Sequence, residues 1–121
     1  MADLARFLFH RRDYSTENRA VRPGAFLPRD GKTSVFEISG LPVEEIVVIA
    51  SAVGAARGRP PKGRGELLHA HVAEVGLRFQ RDDQPHRHGN LVGWPEGGPE
   101  LKARLKAITI ELAASAVLVL H

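Results

Sequence analysis

The sequence predicts a small α+β domain: a mixed or antiparallel sheet of four to five strands with two helices packed on one face. Two observations predict this class. Short segments with the period-two alternation of β-strands occur throughout the chain, and two longer segments, Pro42–Arg57 and Pro99–Leu120, repeat apolar residues at helical spacing. The length of 121 residues fits a single domain over residues 1–121.

The N-terminal third contains two predicted strands joined by a long connection. Leu4–His10 alternates its side chains in the strand period. Arg11–Pro23 has no period and many polar residues, which predicts a loop long enough to carry function. Flanking prolines hold Gly24–Pro28 extended, and the Asp-Gly pair in Arg29–Lys32 predicts a tight turn. Thr33–Ser39 is the second predicted strand.

Pro42–Arg57 is the first predicted helix. Pro42 suits the first turn because it needs no amide partner there, and Glu44 and Glu45 face the positive end of the helix dipole. Gly58 then ends the pattern. The apolar stripe consists of Ile46, Ile49, Ala50 and Val53.

The middle of the chain is built from short pieces. Gly58–Gly65 has the composition of an exposed loop and lacks the Gly-Lys-Ser/Thr ending of a P-loop. Glu66–His71 predicts a short strand, and Val72–Val75 a helical turn. Leu77–Gln80 and Leu91–Trp94 are predicted strands on either side of a polar segment.

Pro99–Leu120 is the second predicted helix, after a break at Pro95–Pro99. Its final part, Ala116–Leu120, is apolar all round and reads either as a buried helix end or as an added edge strand, with the helix favoured. This C-terminal helix could serve an oligomer as well as a core. Its apolar stripe consists of Leu101, Leu105, Ile108, Leu112 and Ala116.

The composition favours a mildly basic cytoplasmic protein. The formal net charge is +3, and arginines cluster in Arg6–Arg29 and Arg57–Arg64. Guanidinium groups match pairs of anionic oxygens, so an anionic partner such as a nucleotide or nucleic acid is one interpretation, and an ordinary basic surface is the other. The absence of cysteine excludes disulfides and thiolate zinc sites. No signal peptide or membrane span is predicted.

The polar segment Asp82–Pro95 is the main candidate for a functional site. One interpretation is structural: His88 and Asn90 fix a loop through bonds to its own backbone, while Trp94 packs over the C-terminal helix. The other makes His88 a general acid or base, with Asn90 and Trp94 in a ligand site. A phosphate would then need an arginine partner, for which Arg11, Arg12 and Arg22 are candidates.

His10 is a second candidate because it ends the first strand and precedes two arginines. It is either a half-exposed edge residue or an acid/base group that works with His88. Two His-x-His pairs, His69/His71 and His86/His88, could chelate a metal from a strand, but nothing in the sequence joins them, and no metal or other cofactor is predicted. Ser34 has no base near it in sequence, so no hydrolase triad is predicted.

Several stretches resemble an uncharacterised family of small bacterial proteins that has no assigned activity. These are Val21–Pro28 (VRPGAFLP), Thr33–Ile38 (TSVFEI), Gly76–Asp83 (GLRFQRDD) and His88–Pro95 (HGNLVGWP), and the likeness extends over nearly the whole chain. In those sequences an alanine often stands where Gly89 is here, a difference of little expected chemical weight. The resemblance implies no catalytic residues.

A second resemblance is to ADP-ribosyltransferase-like domains, which place a His or Arg on the first strand, a Ser or Tyr on a middle strand and a Glu further on. His10 and Ser34 occupy suitable places. No glutamate obviously fills the third role, because Glu74 and Glu111 both fall on predicted helices.

Two functions follow as expectations. The first is a binding or accessory module for an anionic ligand, a nucleotide or nucleic acid, that uses Arg11, Arg22, Asn90 and Trp94. The alternative is a small nucleotide- or RNA-directed enzyme, of which an ADP-ribosyltransferase-like enzyme is one form, with His10 and His88 as acid/base groups.

Overall fold

A six-stranded antiparallel sheet forms the centre of the molecule, in a computed structural model that describes all 121 residues. The strands follow one another across the sheet in the order β6, β7, β4, β1, β5, β8. Their ranges are β1 Leu4–Leu8, β4 Thr33–Glu37, β5 Gly63–Leu67, β6 Arg78–Arg81, β7 His88–Val92 and β8 Val117–Leu120. A separate hairpin consists of β2 Tyr14–Ser15 and β3 Ala20–Val21.

Three α-helices and two short 3₁₀ turns complete the fold. The helices are α1 Val43–Arg57, α2 His69–Glu74 and α3 Leu101–Ser115, and the 3₁₀ turns are Arg11–Asp13 and Pro23–Phe26. These elements confirm the α+β class. None of the helices has the length and apolar composition that crossing a membrane requires.

The first core lies on the face of the sheet that α2, α3 and the Pro23–Phe26 turn cover. Strand alternation directs Leu4 and Leu8 of β1 and Val35 of β4 to this face. They pack with Phe26 and with Leu112 of α3, all of them less than 2% exposed. The buried stripe of α3 thus closes one side of the sheet.

The second core lies on the opposite face, under α1. Ala5 and Phe7 of β1 and Phe36 of β4 point to this side and pack with Ile46 and Ala50 of α1. The prediction of two helices on one face is therefore wrong. Because both sides of the central strands β1 and β4 are apolar, each side needs a cover, and α1 and α3 provide the two covers.

The strand count also exceeds the prediction, because β8 and the hairpin of β2 and β3 lie in segments for which a helix end and a loop were favoured. Residues 63–67 lie in the predicted loop and short strand but form β5, and Val117–Leu120 forms the edge strand β8 rather than the end of a helix. A Cβ at Gly63 would lie 2.9 Å from the Val119 carbonyl oxygen, so glycine permits the close approach of β8.

Candidate functional site

A cleft of about 600 Å³ lies beside the central strands, where β1 and β4 separate. These strands pair only through Leu4 with Glu37 and Ala5 with Phe36, whereas β4 and β7 pair over four residues. Beyond Ala5 the strands part, and the cleft occupies the gap between them. It extends to the segment 24–33 and to Arg57 at the end of α1.

Positive side chains dominate the lining of this cleft. Five lining residues carry a cationic side chain, whereas only two, Asp13 and Asp30, carry a carboxylate. Uncompensated positive charge around a concavity attracts anions and orients them. The cationic residues are Arg6, Arg12, Arg29, Lys32 and Arg57.

Arg6 bridges the gap between the separated strands. Its Nε donates to the Ala25 carbonyl oxygen at 2.9 Å and its Nη1 donates to the Ser34 carbonyl oxygen at 3.0 Å. Burial lowers the pKa of Arg6, and the nearby charge of Arg57 lowers it further. Arginine still remains charged, and neither bond is to a carboxylate, so this guanidinium can be neutralised by an anion in the cleft.

Two further contacts define the wall of the cleft near the end of β1. The Arg57 guanidinium carbon lies 4.4 Å from the centre of the Phe9 ring, a cation–π arrangement. His10 lines the cleft, and Arg59 Nη2 lies 3.1 Å from its Nε2. With Arg59 as the donor, the His10 ring is a hydrogen-bond acceptor in this arrangement.

A Ser–His–Asp chain of hydrogen bonds begins at the cleft. The β4–β7 register pairs Ser34 with Asn90 and Phe36 with His88, so His88 is the diagonal neighbour of Ser34 on the same face. Ser34 Oγ lies 2.7 Å from His88 Nε2, and His88 Nδ1 lies 2.7 Å from Asp82 Oδ1. An ionised carboxylate can only accept hydrogen bonds, so Nδ1–H of His88 donates to Asp82. In a neutral imidazole Nε2 is then the acceptor, and the Ser34 hydroxyl donates to it.

The surroundings of His88 hold this chain in place. The His88 side chain is 15% exposed, and its ring contacts the Phe36 ring edge-on, with centroids 5.1 Å apart. Asp82 also accepts from the Gln84 backbone N–H at 2.9 Å. The bond from His88, and then that from Gln84, holds the pKa of Asp82 below its ordinary value, so Asp82 is ionised at neutral pH.

The structure distributes the predicted site residues over several places. His10 and Asn90 line the cleft, and His88 reaches it through Ser34. Arg11 and Arg22 are exposed and outside the cleft lining, which contains Arg12 instead.

Trp94 does not lie at the cleft. Its side chain is 5% exposed in the first core with Leu112 and Ala113, and its indole N–H donates to the Leu91 carbonyl oxygen at 3.1 Å. This position matches the structural interpretation, in which Trp94 packs against the C-terminal helix. A ligand-binding role for its side chain is not compatible with that burial.

The sequence drew attention to Ser34 only through the ADP-ribosyltransferase resemblance, and it predicted no hydrolase triad there. The statement that it lacks a base holds only along the chain, since His88 lies 54 positions away. The pairing of β4 with β7 brings the two together, and no single segment of sequence encodes that register.

The strand geometry expected for chelation by a His-x-His pair is not found at His69 and His71. His69 and His71 lie on α2 rather than on a strand, where residues two apart do not share a face. His69 bonds to Glu37, and His71 Nδ1 accepts from the Leu68 backbone N–H. No group of three His, Asp or Glu side chains is arranged to hold a metal ion.

No protein-family model matches this chain, and no curated protein or solved structure is significantly similar to it. The geometry of the cleft is therefore the basis on which a function can be assigned.

Proposed function

We propose that this protein binds a small phosphate-bearing molecule of nucleotide size in the cleft between β1 and β4. The observation that carries the proposal is the set of five cationic side chains around one concavity, with two carboxylates among them. A volume of about 600 Å³ lies within the range of ~300–1,000 Å³ usual for small-molecule sites.

Arg6 is the central ligand-binding group in this proposal. Its Nε and Nη1 are fixed by backbone carbonyls, whereas its Nη2 makes no hydrogen bond within the protein. A held guanidinium loses little freedom on binding, and a phosphate oxygen compensates its charge. Arg29 and Lys32 also line the cleft, so a diphosphate could contact them together with Arg6.

A nucleic-acid strand is the alternative ligand, because the same positive charges would attract its phosphates. A strand would extend beyond the cleft and use the exposed arginines outside it, among them Arg11 and Arg22. A small ligand would use the cleft residues alone. Matched arginine substitutions therefore separate the two ligands.

The test compares two arginines of the cleft with two outside it. We expect Arg12→Gln and Arg29→Gln each to weaken the binding of pyrophosphate or a nucleoside diphosphate roughly tenfold, the loss of about one charged hydrogen bond. Arg11→Gln and Arg22→Gln, which remove the same charge from exposed positions, are expected to leave the affinity unchanged. Isothermal titration calorimetry at fixed salt measures the four affinities.

Equal losses in all four variants would contradict a cleft site and indicate a diffuse electrostatic attraction. Tighter binding of a single-stranded oligonucleotide than of pyrophosphate, with a steep salt dependence, would favour the nucleic-acid alternative. No rise in melting temperature of the wild-type protein with millimolar pyrophosphate would overturn the proposal, because a ligand specific for the folded state stabilises it.

A further inference from the structure

We propose that Ser34 is a catalytic nucleophile, with His88 as its general base and Asp82 as the positioning residue, in a hydrolase for carboxylic esters that bear an anionic group. The arrangement of Ser34, His88 and Asp82 is the evidence for the reaction class. The anionic group of the substrate rests on the proposed function, because it would occupy the basic cleft that Ser34 lines.

The three side chains meet the geometric requirements of nucleophilic catalysis. A serine hydroxyl needs a base within hydrogen-bond distance, and the base needs a partner that fixes its tautomer. Both distances, Ser34 Oγ to His88 Nε2 and His88 Nδ1 to Asp82 Oδ1, are 2.7 Å. The arrangement is recognised by geometry and role, since triads occur in different chain orders on unrelated folds.

Rigid elements hold each member of the triad. Ser34 is on β4 and His88 on β7, paired strands inside the sheet. Asp82 lies opposite His88 just beyond β6, where its backbone N–H donates to the His88 carbonyl oxygen at 3.0 Å. Asn90 adds a weaker contact, 3.4 Å from its Nδ2 to Asp82 Oδ2.

The position of Ser34 distinguishes the Ser34–His88–Asp82 hydrogen bonds from a purely structural network. Ser34 is not fully buried, and it lines the cleft that a substrate would enter. Its backbone carbonyl oxygen accepts from Arg6 Nη1 at 3.0 Å, which places a positive charge next to the Ser34 backbone. Ser34 and Arg6 thus both line the basic cleft, and the base His88 contacts it through Ser34.

The reaction proceeds in two steps. Ser34 Oγ forms a bond to the ester carbonyl carbon while His88 Nε2 takes the hydroxyl proton. The bond from that carbon to the leaving oxygen breaks, and His88 returns the proton to the alcohol. Water then attacks the acyl-serine, His88 accepts its proton and returns it to Ser34 Oγ, and the carboxylic acid leaves. The net reaction is ester plus water to acid plus alcohol.

The first experiment treats the full chain with a fluorophosphonate probe and locates the adduct by peptide mass spectrometry. The expected product joins Ser34 Oγ to phosphorus with loss of fluoride. Ser34→Ala is expected to abolish labelling. Ser39→Ala removes a hydroxyl that bonds to Asp3 and is expected to label as the wild type does. Labelling at another residue, or none on folded protein, would overturn the proposal.

The second experiment measures hydrolysis of 4-nitrophenyl acetate and of 4-nitrophenyl hemisuccinate, which carries a carboxylate. We expect the hemisuccinate to have the higher kcat/KM, and Arg29→Gln to remove that preference. Asp82→Asn is expected to lower kcat roughly 10³-fold or more, because the bond from His88 Nδ1 to Asp82 fixes the tautomer of the base. KM and pyrophosphate affinity should be unchanged, since Asp82 does not line the cleft. Equal kcat values in Asp82→Asn and wild type would contradict its role.

The two proposals fail separately. If the protein binds pyrophosphate but is neither labelled nor able to hydrolyse the esters, the triad is overturned and the anion site remains. Labelling of Ser34 without pyrophosphate binding would overturn the anion site and leave the nucleophile. Circular dichroism and thermal melts of Ser34→Ala and of Ser34→Cys, which keeps a nucleophile at the position, confirm that lost labelling does not reflect unfolding.

Discussion

Gly89 occupies a position in β7 where neighbouring groups leave no room for a side chain. A Cβ there would collide with the Phe79 ring and would lie 2.6 Å from the Gln80 carbonyl oxygen. Alanine often stands at this position in the family that the sequence resembles, and the difference was expected to carry little chemical weight. In this chain that expectation is wrong, because Phe79 of the adjacent strand fills the space.

We therefore expect Gly89→Ala to destabilise the fold by about 1–3 kcal/mol, the usual cost of overpacking. Gly24→Ala is the matched control, since a Cβ at Gly24 meets nothing within 4 Å, and its effect should stay within about 0.5 kcal/mol. Urea unfolding measures both. Replacing Phe79 by leucine in the Gly89→Ala background should recover part of the loss. Equal stability of the two single variants would contradict the packing described here.

At the level of single residues, the sequence identified one part of the candidate site and missed another. His88 and Asn90 stood out because histidine titrates near neutral pH and the surrounding segment is polar. Ser34 was singled out only through the resemblance to ADP-ribosyltransferase-like domains, since a serine in a strand has no local signal for catalysis. Its chemistry depends on a partner that only the strand register supplies.

The helix α1 illustrates what can be predicted at the level of elements. Its predicted range, Pro42–Arg57, agrees with Val43–Arg57, because a proline start, acids in the first turn and a glycine end are local signals. Gly58 has φ 77°, the left-handed conformation that ends many helices. The predicted strand Glu66–His71 overlaps β5 only at Glu66 and Leu67, and an edge strand was the less favoured alternative for Ala116–Leu120. The pairing of β5 with β1 and of β8 with β5 is not encoded in either segment alone.

The docking of α1 on the second face leads to a prediction. Ile46 is 5% exposed between α1 and the sheet, so Ile46→Ala should cost about 2–4 kcal/mol by leaving a cavity. Val48 is 68% exposed on the same helix, and Val48→Ala should change stability by less than about 0.5 kcal/mol. Urea unfolding separates the two. Similar effects of both substitutions would show that α1 does not cover the sheet as described.

For the whole molecule, the sequence contained the signal for two covered faces. Leu4 and Leu8 alternate with Ala5 and Phe7 in one short strand, and a strand with apolar residues on both sides belongs in the middle of a covered sheet. The sequence of neither helix indicates which face of the sheet that helix covers. It follows from the strand order, which places the long connections.

Three carboxylates make the free energy of unfolding of the whole protein depend on pH in the acidic range. Asp3 accepts the His69 backbone N–H at the start of α2 at 2.8 Å, Asp82 accepts from His88, and Asp83 accepts from Arg81. These bonds lower the pKa of each carboxyl, with the named partner as the largest cause. The unfolded chain therefore takes up protons at a higher pH than the folded chain does.

The sign of the pH dependence follows from these lowered pKa values. Their stabilising contribution is complete above about pH 5, beyond the unfolded pKa of aspartate, and is lost as pH falls through about 4 towards the folded values. The urea midpoints, measured at constant ionic strength, should be similar at pH 7 and pH 5 and should be lower at pH 4 and lower again at pH 3. Asp3→Asn should lower stability at pH 7 by about 1 kcal/mol and decline less below pH 4, because it removes one of the three groups. Glu17→Gln, which changes an exposed carboxylate without a hydrogen bond, should follow the wild-type curve. An unchanged decline in Asp3→Asn would contradict the bond from the His69 backbone N–H to Asp3, the residue before β1.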